Sequence, residues 1–223
     1  MSSNAHIGFF EKEASQPVPS DWCGSRGKQL FDFTMAILGI ACTFPMMVLV
    51  ATAVKVSSRG PMLFRQYRVG KDGKRFELLK FRTMIHDPAD SSPGVTRSGD
   101  PRVTAAGGFL RRWKLDELPQ LLNVLGGDMS FIGPRPDQPQ FIAALAPDLR
   151  QILRLRPGIT GAATIRFRDE QQLLAGIEGE ELITHYVKIV LPLKAQLDLE
   201  YARTATFLTD LHLLFRTLCA IFR

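Results

Sequence analysis

The sequence predicts a mainly helical α+β protein that is attached to a membrane, and three observations support this fold class. The first is a run of 22 residues without a charge, from Phe33 to Val54. The second is an amphipathic helical pattern that begins at Phe207. The third is a short β-hairpin pattern, which is followed mainly by helical patterns. With 223 residues, 45% of them hydrophobic and 22% charged, the chain has the composition of one globular domain.

The uncharged run is long enough to span a membrane, because about 20 apolar residues cross the hydrocarbon core of a bilayer. Roughly 30 residues precede it and no small-residue cleavage site follows it, so we do not expect a cleaved signal peptide. Cations flank the run on both sides: Arg26, Lys28, Lys55, Arg59, Arg65 and Arg68. Because cytoplasmic segments carry the excess of Lys and Arg, both ends of the run are expected on the same side of the membrane.

Pro45 lies near the middle of the run, where it removes one helical hydrogen bond and is expected to bend the axis. The hydroxyl of Thr43 is near enough to help satisfy the backbone that this proline leaves unbonded. A re-entrant helix, which enters and leaves the membrane on one side, agrees with the flanking charges. A single kinked transmembrane helix agrees with the length, and the residues alone leave both alternatives open.

The C-terminal segment shows apolar residues at helical spacing: Phe207, Leu208, Leu211, Leu214, Phe215 and Leu218. Such a helix can lie in the membrane interface. An apolar stripe of this kind can also face the core of the protein, so both placements are open.

Between these two segments the chain predicts a hairpin and then helices. Two short strands, Leu63–Val69 and Arg75–Phe81, flank a tight turn at residues 71–74. Residues 86–99 are rich in Asp, Ser, Pro and Gly and are expected to form a loop. Helices are expected at Leu118–Leu125, Gln140–Leu155, Glu180–Ile189 and Pro192–Arg203.

The charge of +6 is compatible with nucleic acid, anionic lipid or phosphorylated small molecules as partners. The apolar run favours lipid, and no aromatic–basic interleaving indicates nucleic acid, so no nucleic-acid partner is expected. Cys23, Cys42 and Cys219 are far apart and show no CxxC spacing, which predicts neither disulfides nor a zinc site and fits a reducing, cytosol-facing compartment.

An adjacent pair of carboxylates, Asp116 and Glu117, opens the helix predicted from residue 118, and cations precede it at Arg111, Arg112 and Lys114. In such a pair one carboxylate can attack phosphorus while the other holds a divalent ion or manages a proton. Acidic residues at the start of a helix can equally serve only to balance the helix dipole.

Arginines in stiff turns are the other candidates for phosphate recognition. Arg135 lies between two prolines, and Arg156 begins the glycine-bearing loop at residues 156–161. Prolines restrict the backbone on either side of a guanidinium, whose fork of donors suits phosphate. An exposed turn without a ligand is the alternative for Arg135. Lys80 and Arg82 add cations at the end of a predicted strand.

Several short motifs follow one another in order: Phe64-Arg65-Gln66, Arg68-Val69-Gly70, Lys80-Phe81-Arg82-Thr83-Met84, Asp100-Pro101-Arg102-Val103-Thr104, Phe109-Leu110-Arg111, Leu115-Asp116-Glu117-Leu118-Pro119-Gln120-Leu121, Asn123-Val124, Gly127-Asp128-Met129-Ser130, Gly133-Pro134-Arg135-Pro136 and the loop from Arg156 to Gly161. Read together, they resemble the bacterial sugar transferase family, the small monotopic phosphoglycosyl transferases. The similarity extends over roughly residues 26 to 220, nearly the whole chain.

The resemblance implies a tail at residues 1–25, a re-entrant membrane helix at 26–56 that is broken near Pro45, and a cytosolic catalytic domain at 57–223 with interfacial helices. It also implies the minimal catalytic form of the family, without several N-terminal membrane helices, on the cytoplasmic face of the bacterial inner membrane.

The resemblance further implies a two-step transfer. Asp116 is the expected nucleophile on the β-phosphate of a UDP-sugar, which gives an aspartyl phosphosugar and UMP. Polyprenyl phosphate then takes the sugar phosphate, as a first membrane step in exopolysaccharide, O-antigen or glycoprotein synthesis. The acid pair is the expected Mg²⁺ site, chiefly through Glu117, which is also a candidate to assist proton removal. The expected substrate contacts are Arg111, Arg135, Lys80, Arg82 and Arg156.

A non-catalytic membrane scaffold that binds anionic lipid is the alternative from a different class of function. Release of UMP from a UDP-sugar distinguishes the two. The identity of the sugar, the polyprenol length and the oligomeric state do not follow from the sequence.

Overall fold

A computed structural model describes residues 19–85, 99–174, 176–177 and 179–221, and this part of the chain is mostly helical. The α-helices are α1 (Asp21–Gly24), α2 (Arg26–Ser57), α3 (Ala105–Arg112), α4 (Gln120–Leu125), α5 (Pro139–Ala144), α6 (Ala162–Arg166), α7 (Glu170–Leu173), α8 (Gly179–His185), α9 (Leu191–Thr204) and α10 (Phe207–Ile221). Strands β1 (Leu63–Val69) and β2 (Arg75–Phe81) form an antiparallel pair, and β3 (Ser130–Ile132) and β4 (Gly158–Thr160) form a parallel pair. The mainly helical α+β class is confirmed.

Helix α2 contains the whole uncharged run. Ser25 caps its start, where the serine hydroxyl accepts a hydrogen bond from the Lys28 amide at 3.0 Å. By length and composition, α2 is the one helix in the described part of the chain that could cross a membrane. The helix is continuous from Arg26 through Pro45 to Ser57, so the expected break near this proline is not found. Thr43 donates its hydroxyl hydrogen bond to the Gly39 carbonyl at 2.7 Å, so the expectation that it would serve the carbonyl freed by Pro45 is wrong.

One face of α2 packs against the rest of the protein along almost its whole length. Near its start, Asp32 accepts a hydrogen bond from the Phe131 amide at 3.1 Å. Near its end, Val50 and Val54 pack with Phe81 and Leu110 in a buried cluster. The opposite face exposes large apolar side chains to the surroundings: Leu30, Phe33, Ile37, Leu38, Phe44, Met46, Val48, Leu49 and Val56. Both ends of α2 are therefore held against the same folded body.

Helix α10 is attached to the start of α2 by a buried network around Asp210. This carboxylate, which is fully buried, lies 2.5 Å from the Lys28 ammonium and accepts hydrogen bonds from the Trp22 indole at 2.9 Å and the Tyr201 hydroxyl at 2.5 Å. Ser20 and Trp22 thus belong to the folded body, although the sequence placed them in a tail.

The apolar face of α10 lies on the outside of the protein. Of the six residues that define the sequence pattern, Leu214 packs against a buried cluster. The other five are exposed: Phe207, Leu208, Leu211, Phe215 and Leu218. The alternative in which this stripe faces the core is therefore wrong for most of its residues.

The predicted hairpin is confirmed with its predicted strand ends. Leu63 pairs with Phe81 and Val69 pairs with Arg75. The turn contains a short 3₁₀ segment, Lys71–Gly73, in which Asp72 and Gly73 have φ values of 56° and 76°. These left-handed conformations suit Asp and Gly and let the chain reverse. On β2, Phe76 and Leu78 face the core.

The predicted helices are found with two corrections. The segment expected from Leu118 begins as α4 at Gln120, and the helix expected over Gln140–Leu155 is interrupted between α5 and a 3₁₀ turn at Leu149–Arg154. Pro147 lacks the N–H that a continuous helix would donate to Ala143. The guanidinium of Arg150 bonds the Ala143 carbonyl instead, at 2.7 Å.

The last two predicted helices are confirmed as one helical run from α8 through a π turn, Tyr186–Val190, into α9. Most of the predicted loop, residues 86–98, lies outside the described residues.

The parallel pair β3–β4 was not predicted, and it depends on glycines at which two backbones approach closely. The Gly133 amide bonds the Thr160 carbonyl at 3.0 Å, and the Gly158 amide bonds the Pro134 carbonyl at 2.8 Å. A Cβ added to Gly158 would overlap the backbone nitrogen of Gly133. This contact fixes the turn that follows β3 against the loop that precedes β4.

Replacement of Gly158 by alanine is expected to lower the free energy of unfolding by about 3 kcal/mol, the upper end of the usual cost of overpacking, because the new methyl group has only rigid backbone to displace. Urea unfolding in detergent micelles measures the effect. Gly108→Ala is the matched control: Gly108 lies in α3 and a methyl group added there would enter open space, so alanine should stabilise the chain by about 0.5–1 kcal/mol. Equal unfolding midpoints for Gly158→Ala and the unmodified chain would contradict the account of this contact.

Candidate active site

The acid pair lies in a 3₁₀ turn, Leu115–Glu117, that precedes α4 instead of forming its first turn. Lys114, with φ of 56°, turns the chain sharply just before the pair. Asp116 and Glu117 are only 6% and 8% exposed. Burial of two adjacent carboxylates requires nearby positive charge, because a buried and unpaired anion is strongly unfavourable.

Two cations converge on one oxygen of Glu117. The Lys80 ammonium lies 3.0 Å and the Arg135 Nη2 atom 2.6 Å from Glu117 Oε1. A second contact joins Arg135 Nη1 to Glu117 Oε2 at 3.5 Å. Burial opposes ionisation of Glu117, but the charges of Arg135 and Lys80 outweigh it and hold its pKa well below the usual range. Glu117 is therefore a carboxylate at neutral pH.

Asp116 has the opposite electrostatic balance. Burial and then the negative charge of Glu117 raise its pKa, and the cations Lys80, Lys114 and Arg111 only partly oppose this shift. Its buried Oδ1 atom has no hydrogen-bond partner within the described structure. An unbonded carboxylate oxygen in this environment can accept a metal ion or form a bond to an electrophile.

A divalent cation fits this pair, although the described residues contain no group of three or more His, Cys, Asp or Glu side chains around one point. Mg²⁺ is usually held by one or two carboxylates and completes its shell with water and phosphate oxygens. Asp116 and Glu117 provide the two carboxylates, and the unbonded Oδ1 of Asp116 provides an open coordination position.

Strand β2 carries Lys80 toward the acid pair. Because side chains alternate along a strand, Lys80 lies on the same inward face as Phe76 and Leu78. Asn123 of α4 fastens this strand to the helix after the acid pair: its side chain accepts from the Leu79 amide at 3.1 Å and donates to the Glu77 carbonyl at 2.7 Å. The sequence indicated Asn123 only as part of a motif, not as this clamp.

Arg135 is displayed from a stiff turn, as the two prolines predict. The β3–β4 pair holds one side of the turn, and Arg68 Nη1 donates to the Pro136 carbonyl at 3.3 Å on the other. The Arg135 side chain is 29% exposed and bound to Glu117, whose charge raises its pKa further. The alternative of a freely exposed turn is therefore wrong.

The remaining predicted arginines occupy different places. Arg111 donates through Nε to the Thr83 hydroxyl at 2.8 Å, and burial lowers its pKa while the charge of Asp116 partly restores it. Arg82 is 5% exposed and bonds the C-terminal end of α2. Arg156 begins the loop before β4, where its carbonyl lies against Gly133. Arg111 thus borders the acid pair, whereas the bonds of Arg82 within the described structure go to α2.

A buried polar chain behind the Arg135 turn was not predicted. The Tyr186 hydroxyl donates to Asp137 at 3.2 Å, and the Lys194 ammonium bonds Tyr186 at 3.4 Å and Glu170 at 2.8 Å. Asp137 and Glu170 both add negative potential at Arg135. These residues are far apart in the sequence, so no spacing pattern could indicate the chain.

Asp198 on α9 is a further buried carboxyl group, and it predicts a pH-dependent stability. It accepts a hydrogen bond from the Ala163 amide at 3.1 Å, and burial raises its pKa from 3.8 to about 7. The folded state therefore holds a proton that the unfolded state has lost, so this stability is present below pH 4 and is lost as the pH rises to about 7. Asparagine does not titrate, so the unfolding free energy of Asp198→Asn minus that of the unmodified chain should increase by about 2 kcal/mol from pH 5 to pH 8. Parallel unfolding curves over this range would show that Asp198 does not titrate as described.

Comparison with known proteins gives one matching family and several named relatives. The family described as "Bacterial sugar transferase" matches residues 24–223. The chain is 40% identical to the undecaprenyl-phosphate glucose phosphotransferase of Komagataeibacter xylinus. The matched region covers 95% of this chain and 39% of that protein. It is 39% identical to the UDP-glucose:undecaprenyl-phosphate glucose-1-phosphate transferase of Caulobacter vibrioides, and the matched region covers 85% of this chain and 67% of that protein.

A third relative is similar in length to this chain. The exopolysaccharide production protein ExoY of Sinorhizobium fredii is 33% identical over 98% of this chain and 94% of its own. By contrast, the chain spans only 37–39% of the length of several curated relatives that it matches.

Proposed function

The chain belongs to the bacterial sugar transferase family, and from this premise we propose that it transfers a sugar-1-phosphate from a UDP-sugar to undecaprenyl phosphate and releases UMP. Relatives with names of this type include glucose-1-phosphate and N-acetylgalactosamine-1-phosphate transferases, so the sugar itself is left open. The observation that carries the proposal is the acid pair, in which Glu117 is held ionised by two cations and Asp116 has an oxygen without a partner in the described structure.

In the first step, an Asp116 carboxylate oxygen attacks the β-phosphorus of the UDP-sugar. The bond between this phosphorus and the oxygen that bridges the two phosphates breaks, and UMP leaves with that oxygen. In the second step, an oxygen of undecaprenyl phosphate attacks the aspartyl phosphosugar. The Asp116 carboxylate is thereby released, and a polyprenyl diphosphate-sugar is formed. A covalent enzyme intermediate divides one difficult transfer into two displacements.

The cations around the pair supply the charge that such a transfer requires. Arg135 and Lys80 neutralise Glu117 in the absence of substrate and can exchange part of this contact for phosphate oxygens. The Nε atom of Arg111 is bonded to Thr83, so its terminal nitrogens are the proposed phosphate donors. Glu117 and Asp116 would hold Mg²⁺, which neutralises diphosphate charge when bound.

Ionisation of Asp116 is the condition for its attack. Its burial and the neighbouring Glu117 disfavour the charged form. The neighbouring cations Lys80, Lys114 and Arg111 favour it, and a divalent cation would favour it further when bound. The unbonded Oδ1 atom supports this assignment of Asp116 over Glu117, whose oxygens both contact Arg135.

We place α2 as a re-entrant helix in the cytoplasmic leaflet of the bacterial inner membrane. A helix of 32 residues is about 48 Å long and could cross a bilayer of about 30 Å. A crossing helix, however, would carry its two ends to opposite sides, whereas both ends of α2 contact the same polar body. The exposed apolar faces of α2 and α10 support a position of the body at the lipid surface, where undecaprenyl phosphate presents its head group.

The test is release of UMP by the purified full chain in detergent with Mg²⁺, undecaprenyl phosphate and a panel of UDP-sugars. We expect one or a few sugars to support turnover and chelation of the metal to stop it. Without undecaprenyl phosphate, a burst of at most one UMP per enzyme should appear, because the first step can proceed alone. Lipid-vesicle binding without UMP release from any UDP-sugar would instead support the scaffold alternative.

A further inference from the structure

Four consecutive residues at the end of β2 connect the acid pair to the membrane helix. Lys80 bonds Glu117, and Thr83 accepts a hydrogen bond from Arg111. Between them, Arg82 bonds the C-terminal end of α2. Lys80 and Arg111, two of the three proposed phosphate-site cations, and the end of the apolar helix are therefore attached to one short, extended piece of chain, residues 80–83.

The contacts of Arg82 are those of a helix cap. Its Nη2 atom lies 2.7 Å from the Ser58 carbonyl, 3.0 Å from the Ser58 hydroxyl and 3.3 Å from the Val54 carbonyl. The last carbonyls of a helix have no partner within the helix and carry partial negative charge, so a cation there is favourable. All three contacts go to the last turn of α2 or to the residue that follows it.

Capping alone does not account for an arginine at this position. Arg82 is 5% exposed, and its Nε and Nη1 atoms are buried without hydrogen-bond partners in the described structure. Unmatched buried donors cost stability. Beyond capping, the side chain reaches from residues 80–83 to α2, and its three Nη2 contacts set the distance between them.

Backbone hydrogen bonds and side-chain packing around Arg82 join the end of α2 to the end of β2 and to the start of α3. The Arg82 amide donates to the Met62 carbonyl at 3.0 Å, and Phe81 is buried against Val54 of α2. On the other side, the Thr83 carbonyl accepts from the Thr104 amide at 3.0 Å, directly before α3, which carries Arg111. A shift of the end of α2 therefore moves the strand end and the start of α3 together.

We propose that Arg82 is a positioning residue that couples the position of α2 in the membrane to the positions of Lys80 and Arg111 at the acid pair. The proposal rests on the proposed function. It assigns to Arg82 an indirect role, in place of the direct substrate contact that the sequence suggested. If α2 shifts relative to residues 80–83, Lys80 moves away from Glu117. The transfer then slows although Asp116 and Arg135 are unchanged.

The experiment compares Arg82→Met with Arg82→Lys in the full chain, by UMP release with the best UDP-sugar. Methionine keeps an unbranched apolar stem but has no donor for the bonds to α2, whereas lysine keeps a donor for the Ser58 carbonyl. For Arg82→Met we expect kcat to fall by about tenfold or more, with KM for the UDP-sugar changed less than about threefold. Arg82→Lys should recover most of this loss.

The split between kcat and KM, together with the rescue by lysine, separates positioning from a general loss of structure. Arg65→Met, which changes a 62% exposed arginine on the same hairpin, is the matched control and should leave kcat and KM unchanged.

The outcomes distinguish this proposal from the proposed function. If the unmodified chain releases no UMP, the proposed function fails. If the unmodified chain is active and Arg82→Met has the same kcat per folded molecule, the coupling is refuted and Arg82 serves only as a helix cap. A rise in KM for the UDP-sugar, with kcat unchanged, would return Arg82 to the role of a direct substrate contact.

Discussion

Replacement of Asp116 by asparagine is expected to reduce UMP release by at least about a thousandfold, because an amide of the same shape cannot form the bond to phosphorus. The burst of UMP in the absence of undecaprenyl phosphate should disappear as well. Binding of the UDP-sugar should persist, since Arg135, Lys80 and Arg111 are unchanged. The measurements are turnover, the single-turnover burst and retention of a label from the sugar on the denatured protein.

Asp72→Asn provides the matched control for this change. Asp72 lies in the exposed hairpin turn with φ of 56°, a conformation that asparagine also tolerates. Its turnover and burst should equal those of the unmodified chain. Near-normal turnover by Asp116→Asn, or a label that is still retained on it, would show that the nucleophile is another group.

Replacement of Arg135 by glutamine is expected to lower kcat/KM by about a hundredfold or more, because it removes two charge-assisted contacts to Glu117 and a phosphate donor. It leaves Glu117 buried with Lys80 as its remaining bonded cation. The pKa of Glu117 should then rise, which moves the acidic limb of the rate profile to higher pH.

The same variant should lose stability in a defined pH range. A carboxylate with a lowered pKa in the folded state stabilises the fold above its unfolded pKa, and this stabilisation is lost as the pH falls. Arg135→Gln should therefore be most destabilised, relative to the unmodified chain, near neutral pH. Arg135→Lys, which keeps the charge but not the fork, should recover part of both effects.

Arg75→Gln is the control for the loss of one arginine, because Arg75 is exposed at the start of β2. It should leave the rate and its pH dependence unchanged. If Arg135→Gln alters KM alone and leaves the acidic limb in place, Arg135 acts on the substrate only and does not set the charge of Glu117.

Local patterns predicted the elements that local interactions determine. Alternation and turn residues located β1 and β2, and the uncharged run located α2. The strands β3 and β4 have three residues each, which is too short for an alternating pattern to be distinguished. Their pairing depends on close backbone contact at Gly133 and Gly158, which only the folded chain shows.

The candidate site was predicted as separate residues and not as an arrangement. Lys80 and Arg135 lie 37 and 18 residues from Glu117, so nothing in the sequence indicates that both meet the same oxygen. The sequence indicated Arg111, Arg112 and Lys114 as the cations beside the acid pair, whereas Glu117 is bonded directly by Lys80 and Arg135. The sequence shows Arg82 as a cation near the site but not the direction of its side chain, which the structure turns toward the end of α2.

The ion pair between Lys28 and Asp210 also has a consequence for synthesis on the ribosome. The two residues are 182 positions apart, so the apolar helix emerges long before the carboxylate that neutralises its first lysine. At about 5–20 residues per second, this interval lasts roughly 10–40 s. During that time the exposed apolar helix needs the membrane or a chaperone, and its contact with α10 forms only after Asp210 has been synthesised.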